Sequence, residues 1–428
     1  MKLRYVFSAP SMMKLQPCNL SKESPELYKI FSNIVGACVA KVKADVKNLI
    51  PDMELDVDIL YNAFTEAEFG HHINTNNRFS FTKMYADSGG LQIVTLGKQV
   101  TDAIKKDIYK NQCHADFAMC FDEIPTRSIL KSNGASSRSR VSDKMYFQAE
   151  AEQCALKTAH NIKEQCETIS KINDTTNVMY IVQGNTEQDM YEWFKYGTTV
   201  LDDYSRIGGL ALADTCMGNG MLESVDMFIA YNRIREEFGE DKTKNHIHLL
   251  GVGSVNRLVP LLWVKDSLLP KDITVSFDST SFSMTYMMGK FMTPAGKIIK
   301  SKDWEAYMNT VVDYFHDCIV ESYPDFDKKV FVEHYMKSIM STADTINNSP
   351  DGTTYVSQAH ITATIVYQLF GFVAQMRGVI DAMKTSNSPI SKLQHAKNYD
   401  DVLKWKTQYS RYIDSSRIQR APGVVLEF

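Results

Sequence analysis

Six short stretches of the chain end an apolar run on residues that could do chemistry: Asp87 in ADSGGLQ, Asp122 in CFDEIPT, Gln183 in IVQGN, Gly208 and Gly209 in IGGLA, Gly251 and Gly253 in LLGVGS, and Asp278 in SFDST. Taken singly, an Asp after a strand is most often a helix N-cap, and a Gly-Gly pair is most often a turn. In succession they read as one set. Two carboxylates facing one pocket suit the breaking of an N-glycosidic bond: one attacks the anomeric carbon and holds the sugar covalently, while the other carries the proton. A further carboxylate can accept from the N1–H and N2–H of a guanine-like base, and a Gln side chain with a Gly N–H can address its O6. The parts add up to a purine-exchange site.

Such a set works only if the strand ends converge. Apolar, β-branched runs occur at Leu55 to Tyr61, Phe117 to Phe121, Val178 to Val182, Ile207 to Leu212, Ile247 to Val252 and Ile273 to Phe277. Helical patterns separate most of them, among them Lys144 to Ile172, capped by Ser142, and Val225 to Phe238. Strand and helix alternating this often predict an α/β fold, a TIM-like (β/α)8 barrel with insertions over residues 1–300. From Trp304 the pattern turns helical (Trp304 to Tyr323, Lys329 to Ile346, His360 to Met383) and then becomes a polar tail. Residues 301–428 are therefore expected to form a C-terminal helical appendage that completes or packs on the barrel.

With 428 residues, 44% hydrophobic and 23% charged, the chain has ample material for a large core. Its formal charge of −4 excludes coating of nucleic acid by charge alone, so any such contact should be focused. Eight scattered cysteines without a CxxC pair argue against a disulfide framework and fit a reducing cytoplasm, the host's if the source is viral. No apolar stretch approaches the length of a membrane span, and no membrane partner is expected.

In order, DSGGLQ, FDE, VQG, IGGLA, GVG and FD resemble the tRNA-guanine transglycosylase superfamily, whose pattern runs DSGGFQ, FDE, VQGG, GGL, GVG and FD. The resemblance covers Asp87 to Asp278. It implies that Asp278 is the nucleophile and Asp87 the general acid/base. Asp122, Gln183 and Gly209 would read the base, with Ser88, Gly208, Leu210 and Gly251 beside them. Leu91 and Leu250 stand where the family sandwiches the base between an aromatic and a Met. The family also has a Glu shortly after GGL, and Asp214 falls near that place.

The departures matter as much. Where the tRNA enzymes carry CVxPTRxxR, with arginines for the bases flanking the target, this chain has STSFSMTYM, and Met284 and Met287 replace the arginines. DNA is therefore the expected polynucleotide, as in the phage and bacterial DpdA-like DNA-guanine transglycosylases. The incoming partner would be a free 7-deazaguanine base, 7-cyano-7-deazaguanine by that analogy. A target inside a duplex must be flipped out or presented single-stranded, and a second copy of the chain (a homodimer) or an accessory protein is the further expected partner. A queuosine- or archaeosine-type tRNA enzyme, a non-catalytic base-binding subunit and a generic two-carboxylate glycosidase are the alternatives. Phosphate contacts are expected from Arg127, Lys131, Arg138, Arg140 and Lys144, and from Lys290, Lys297, Lys300 and Lys302. The family's structural zinc motif, CxCxxC with a later His, is missing. At its place stand His316, Cys318 and Glu321, with His360 opening the matching helix, and these four are the expected zinc ligands.

Overall fold

The computed structural model describes residues 2–8, 25–65, 81–90, 100–125, 140–184, 186–214, 221–250, 252, 255–279, 290–294, 298–300, 304–333, 358–385, 393 and 395–418. Eight parallel strands close into one barrel in sequence order. They are β1 (Lys2–Ser8), β2 (Glu54–Asn62), β3 (Met84–Asp87), β4 (Phe117–Met119), β5 (Asn177–Gly184), β6 (Ile207–Asp214), β7 (His246–Leu249) and β8 (Thr274–Ser279). The helices along the way are α1 (Pro25–Leu49), α2 (Asp102–Gln112), α3 (Arg140–Ser170), α4 (Glu187–Gly197), α5 (Met221–Phe238), the short α6 (Glu240–Thr243) and α7 (Val255–Leu268). The expected barrel is thus present. Ser142 lies inside α3 and is not its cap.

Strand alternation sorts the side chains. Leu3, Tyr5 and Phe7 of β1 and Leu55, Val57 and Ile59 of β2 are buried apolar positions. Their neighbours Arg4, Asp56 and Asp58 meet one another: Arg4 bonds both oxygens of Asp58 at 2.9 and 2.7 Å and reaches Asp56 at 3.1 Å. The lower barrel interior is therefore filled by ion pairs.

After β8 comes a two-stranded antiparallel hairpin, β9 (Lys290–Met292) and β10 (Ile298–Lys300), and then α8 (Trp304–Ser322), α9 (Gln358–Thr385) and α10 (Tyr399–Ile418). α9 packs against both α1 and α7. Its Phe372 stacks on Tyr5 of β1 at 4.7 Å and lies 5.7 Å from Phe277 of β8. α9 therefore fills the place of the helix that follows the eighth strand. α8 packs outside it, against α1. The expected polar tail is in fact α10. Asn398 accepts from the Asp401 N–H at its start, Val402 and Trp405 are buried, and Lys406 pairs with Glu187 and Asp226. Among the described residues no helix is long and apolar enough to cross a membrane.

Candidate active site at the barrel mouth

Asn62, Asp87, Gln183 and Asp278 occupy the last or next-to-last positions of β2, β3, β5 and β8, so the parallel barrel delivers them to one end. Asp87 is fixed by the turn that follows it. Gly89 has φ +74°, and a Cβ there would meet Phe64 Cβ at 2.7 Å and Asn62 Oδ1 at 2.9 Å, so glycine alone fits. Asn62 Oδ1 accepts the N–H groups of Phe64 and Thr65, and its Nδ2 lies 3.4 Å from Asp87 Oδ2. Burial raises the Asp87 carboxyl to about 6, and the charge of Asp278 adds to the rise. The N–H groups of Gly89 and Ser88 pull the other way.

Asp122, just beyond β4, is buried and accepts from Gln183 Nε2 at 2.6 Å. Burial pushes it to about 7 against the Gln183 hydrogen bond, and Asp87 pushes it further up. The two motifs meet closely: a Cβ at Gly90 would stand 3.4 Å from Asp122 Oδ1, and Ser88 Oγ accepts the Gly90 N–H. Glu123, one residue on, faces elsewhere. Its N–H donates to Thr158, and its carboxylate accepts from Asn161 and lies 3.5 Å from Lys105, which ties the strand end to α2 and α3.

Asp278 ends a buried polar column that the sequence reading did not contain. Oδ1 stands 3.3 Å from His248 Nε2; His248 Nδ1 lies 2.8 Å from Ser276 Oγ; and Ser276 Oγ lies 2.7 Å from His246 Nε2, with the Tyr85 hydroxyl 3.3 Å beyond. Burial pushes His246 down to about 3, so it is neutral. The available signal was alternation: His246 and His248 in β7 and Ser276 and Asp278 in β8 are inward positions of paired strands. Asn62 was equally missed, at the end of β2.

Other expected residues are placed differently. Gly208, Gly209 and Leu210 lie in the first half of β6, well below its end at Asp214. Gly208 is the extra residue of a bulge, since β5 advances from Val178 to Met179 while β6 advances from Ile207 to Gly209. A Cβ on Gly209 would stand 2.2 Å from the His246 carbonyl oxygen, and one on Gly208 2.9 Å from Asn177 Cβ. This pair lets β6 pack against its neighbours, and Leu210 is a buried core residue. None of the three is at the mouth. Leu250 does follow the end of β7, partly buried, its N–H bonded to the Leu212 carbonyl. Leu91, Gly251, Gly253, Met284 and Met287 lie outside the described residues, as do Arg127, Lys131, Arg138, Lys297, Lys302 and the side chains of Arg140, Lys144, Asp214, Lys290 and Lys300.

The described members of the expected zinc set do not converge either. His316 and Glu321 are exposed on α8, whereas Cys318 is half-buried and its thiol donates to the Phe315 carbonyl at 2.9 Å. Positions two apart on a helix point nearly opposite ways, so His316 and Cys318 cannot share one ion. The His360 side chain lies outside the described residues, and no group of three or more metal-ligating side chains occurs among those described. These residues do not fit a closed four-ligand zinc site. Against known proteins, no family model and no curated protein matches this chain.

Proposed function

We propose that the chain exchanges guanine in DNA for a 7-deazaguanine base through a covalent aspartyl–sugar intermediate. The observation that carries this reading is the carboxyl pair at the mouth: Asp87, lifted to about 6 within the field of Asp278, can give and take a proton near neutrality. An oxygen of Asp278 bonds to C1′ as the C1′–N9 bond breaks, and the departing guanine takes its proton from Asp87. The incoming base returns a proton to Asp87 as its N9 attacks C1′ and the aspartyl ester bond breaks. Protons and bonds balance over the cycle.

Base reading falls to Asp122 and Gln183. Their mutual hydrogen bond is what a guanine edge would replace, with Asp122 accepting N1–H and N2–H and the Gln183 amide turning to O6. Because Asp122 is held at about 7, binding two donors favours its ionised form and should release protons. DNA is preferred over tRNA because Met284 and Met287 stand where the resembling tRNA enzymes have arginines.

Incubation with radiolabelled guanine and either duplex DNA, single-stranded DNA or tRNA tests the proposal directly. Label is expected in DNA, most readily when single-stranded. Label in tRNA alone would replace DNA by tRNA as substrate; label in neither would remove the exchange reaction itself.

A further inference from the structure

We propose that His248 is a positioning residue for Asp278: its Nε2–H, fixed from below by Ser276 and His246, holds Oδ1 of the carboxylate while Oδ2 meets the sugar. The role assigned to Oδ2 rests on the transglycosylase reading; the pairing itself does not.

The tautomer follows from counting protons. Ser276 has one hydroxyl proton and lies between two imidazole nitrogens, at 2.7 Å from His246 Nε2 and 2.8 Å from His248 Nδ1. If His246 donates to Ser276 and Ser276 donates to His248 Nδ1, the remaining His248 proton sits on Nε2 and faces Asp278. If instead His248 donates from Nδ1, whether the hydroxyl then turns to His246 or to the Ile247 carbonyl 3.3 Å away, the bare lone pair of a neutral Nε2 faces a carboxylate oxygen at 3.3 Å. Two acceptors opposed in a dry interior repel. His246 is neutral because burial holds it near 3, and a neutral imidazole carries the one N–H the first arrangement needs.

Burial makes the same choice. His248 is wholly buried, and Nε2 has no other hydrogen-bond partner among the described residues, so an N–H there finds its acceptor in Asp278. Its distance and direction fall short of a straight hydrogen bond, and a small turn of the Asp278 carboxylate completes it. When the aspartyl ester forms through Oδ2, Oδ1 becomes its carbonyl oxygen and still accepts from Nε2–H. The contact therefore survives both half-reactions, and no proton leaves His248.

Two measurements test this. In protein labelled with ¹⁵N-histidine, His248 should show the Nε2–H tautomer, and its Nε2 resonance should move in Asp278→Asn. An Nδ1–H tautomer, or an Nε2 resonance indifferent to Asp278→Asn, overturns the proposal. In single-turnover trapping of the covalent adduct on guanine-containing DNA, His248→Leu should slow adduct formation by about 10- to 100-fold, the loss of one hydrogen bond to a charged group, with the KM for free base unchanged. His248→Gln, which keeps an N–H donor near the Nε2 position, should restore most of the rate. A folded His248→Leu at the wild-type rate, or a Gln variant as slow as Leu, overturns it. Wild-type protein that shows the expected resonances but exchanges no base leaves the pairing intact and removes only the transglycosylase reading.

Discussion

The two ends of the barrel interior use the same residue types to opposite effect. At the lower end Asp56 is ringed by cations, with Lys2 and Lys43 at 3.0 Å and Arg4 at 3.1 Å, and these together hold its carboxyl below the ordinary range. Asp58 beside it is fully buried. It accepts twice from Arg4 and once from the Lys83 N–H, and burial still lifts it to about 6. At the mouth, Asp87 and Asp122 are enclosed as well, but their hydrogen bonds come from backbone N–H groups and amides, and the main charges acting on them are other carboxylates. Cations hold Asp56 ionised and tie Asp58 in place even though burial lifts it as far as Asp87, so the two ends differ in the partners of their carboxylates and not in how far each is lifted. Burial alone does not make a reactive carboxyl; the choice of partner does.

The sharpest way to break this contrast is at Asp278. Asp278→Asn should reduce base exchange by at least ~1,000-fold, since no neighbouring group can replace a covalent nucleophile, while the melting temperature stays close to wild type. Residual exchange well above that level would reject the nucleophile assignment.

Next in size is the lower end. Arg4→Met should destabilise the fold by roughly 3–5 kcal/mol, because it strands Asp58 in a dry interior. Without Arg4 the Asp58 carboxyl rises further, so the folded state prefers it protonated and stability should fall as pH increases. Denaturant melts at pH 5 and pH 8 check the sign, and a loss equal at both would mean Asp58 does not carry the effect.

The smallest effect distinguishes the mouth from the floor. Asp122 sits at about 7 when folded against an ordinary 3.8, so it binds more protons folded than unfolded between those values. Wild-type stability should decline through that window and stay reduced above it. Asp122→Asn removes the penalty, raising the melting temperature by a few degrees at pH 8 and leaving it unchanged at pH 4. The same variant should raise the KM for the free base, because the amide replaces one of the two accepting oxygens by an NH2 donor that would face a donor of the purine edge. A variant with no gain at pH 8 would show that Asp122 is not held against its charge.

Much of the barrel was readable in the chain because outward strand faces and helix faces bury apolar side chains at regular spacing. β1 was not, because its inward positions are Lys2 and Arg4, charges that look exposed until Asp56 and Asp58 of β2 are brought beside them. β3 was signalled only by the DSGG turn after it. α10 reads as a polar tail because its mean polarity hides Val402 and Trp405, which are buried.

For the candidate site, the sequence by itself indicated which carboxylates and amide reach the barrel mouth, since Asp122, Gln183 and Asp278 each follow an apolar run, Asp87 opens the DSGG turn, and a parallel barrel sends all such ends one way. Depth, partners and proton positions were decided by tertiary structure. The Gly208-Gly209 pair has the same local appearance whether it closes a strand or opens one. Only the pairing of β6 with β5 and β7 turns it into a bulge against the His246 carbonyl. His316 and Cys318 are two residues apart, close in the chain and on different sides of a helix. His248 and Ser276 lie on neighbouring strands with a whole helix between them in the chain, and the closed sheet sets their side chains 2.8 Å apart under Asp278. Hydrophobic periodicity records which face of an element is buried; it carries no record of which polar group waits on the other side of the barrel.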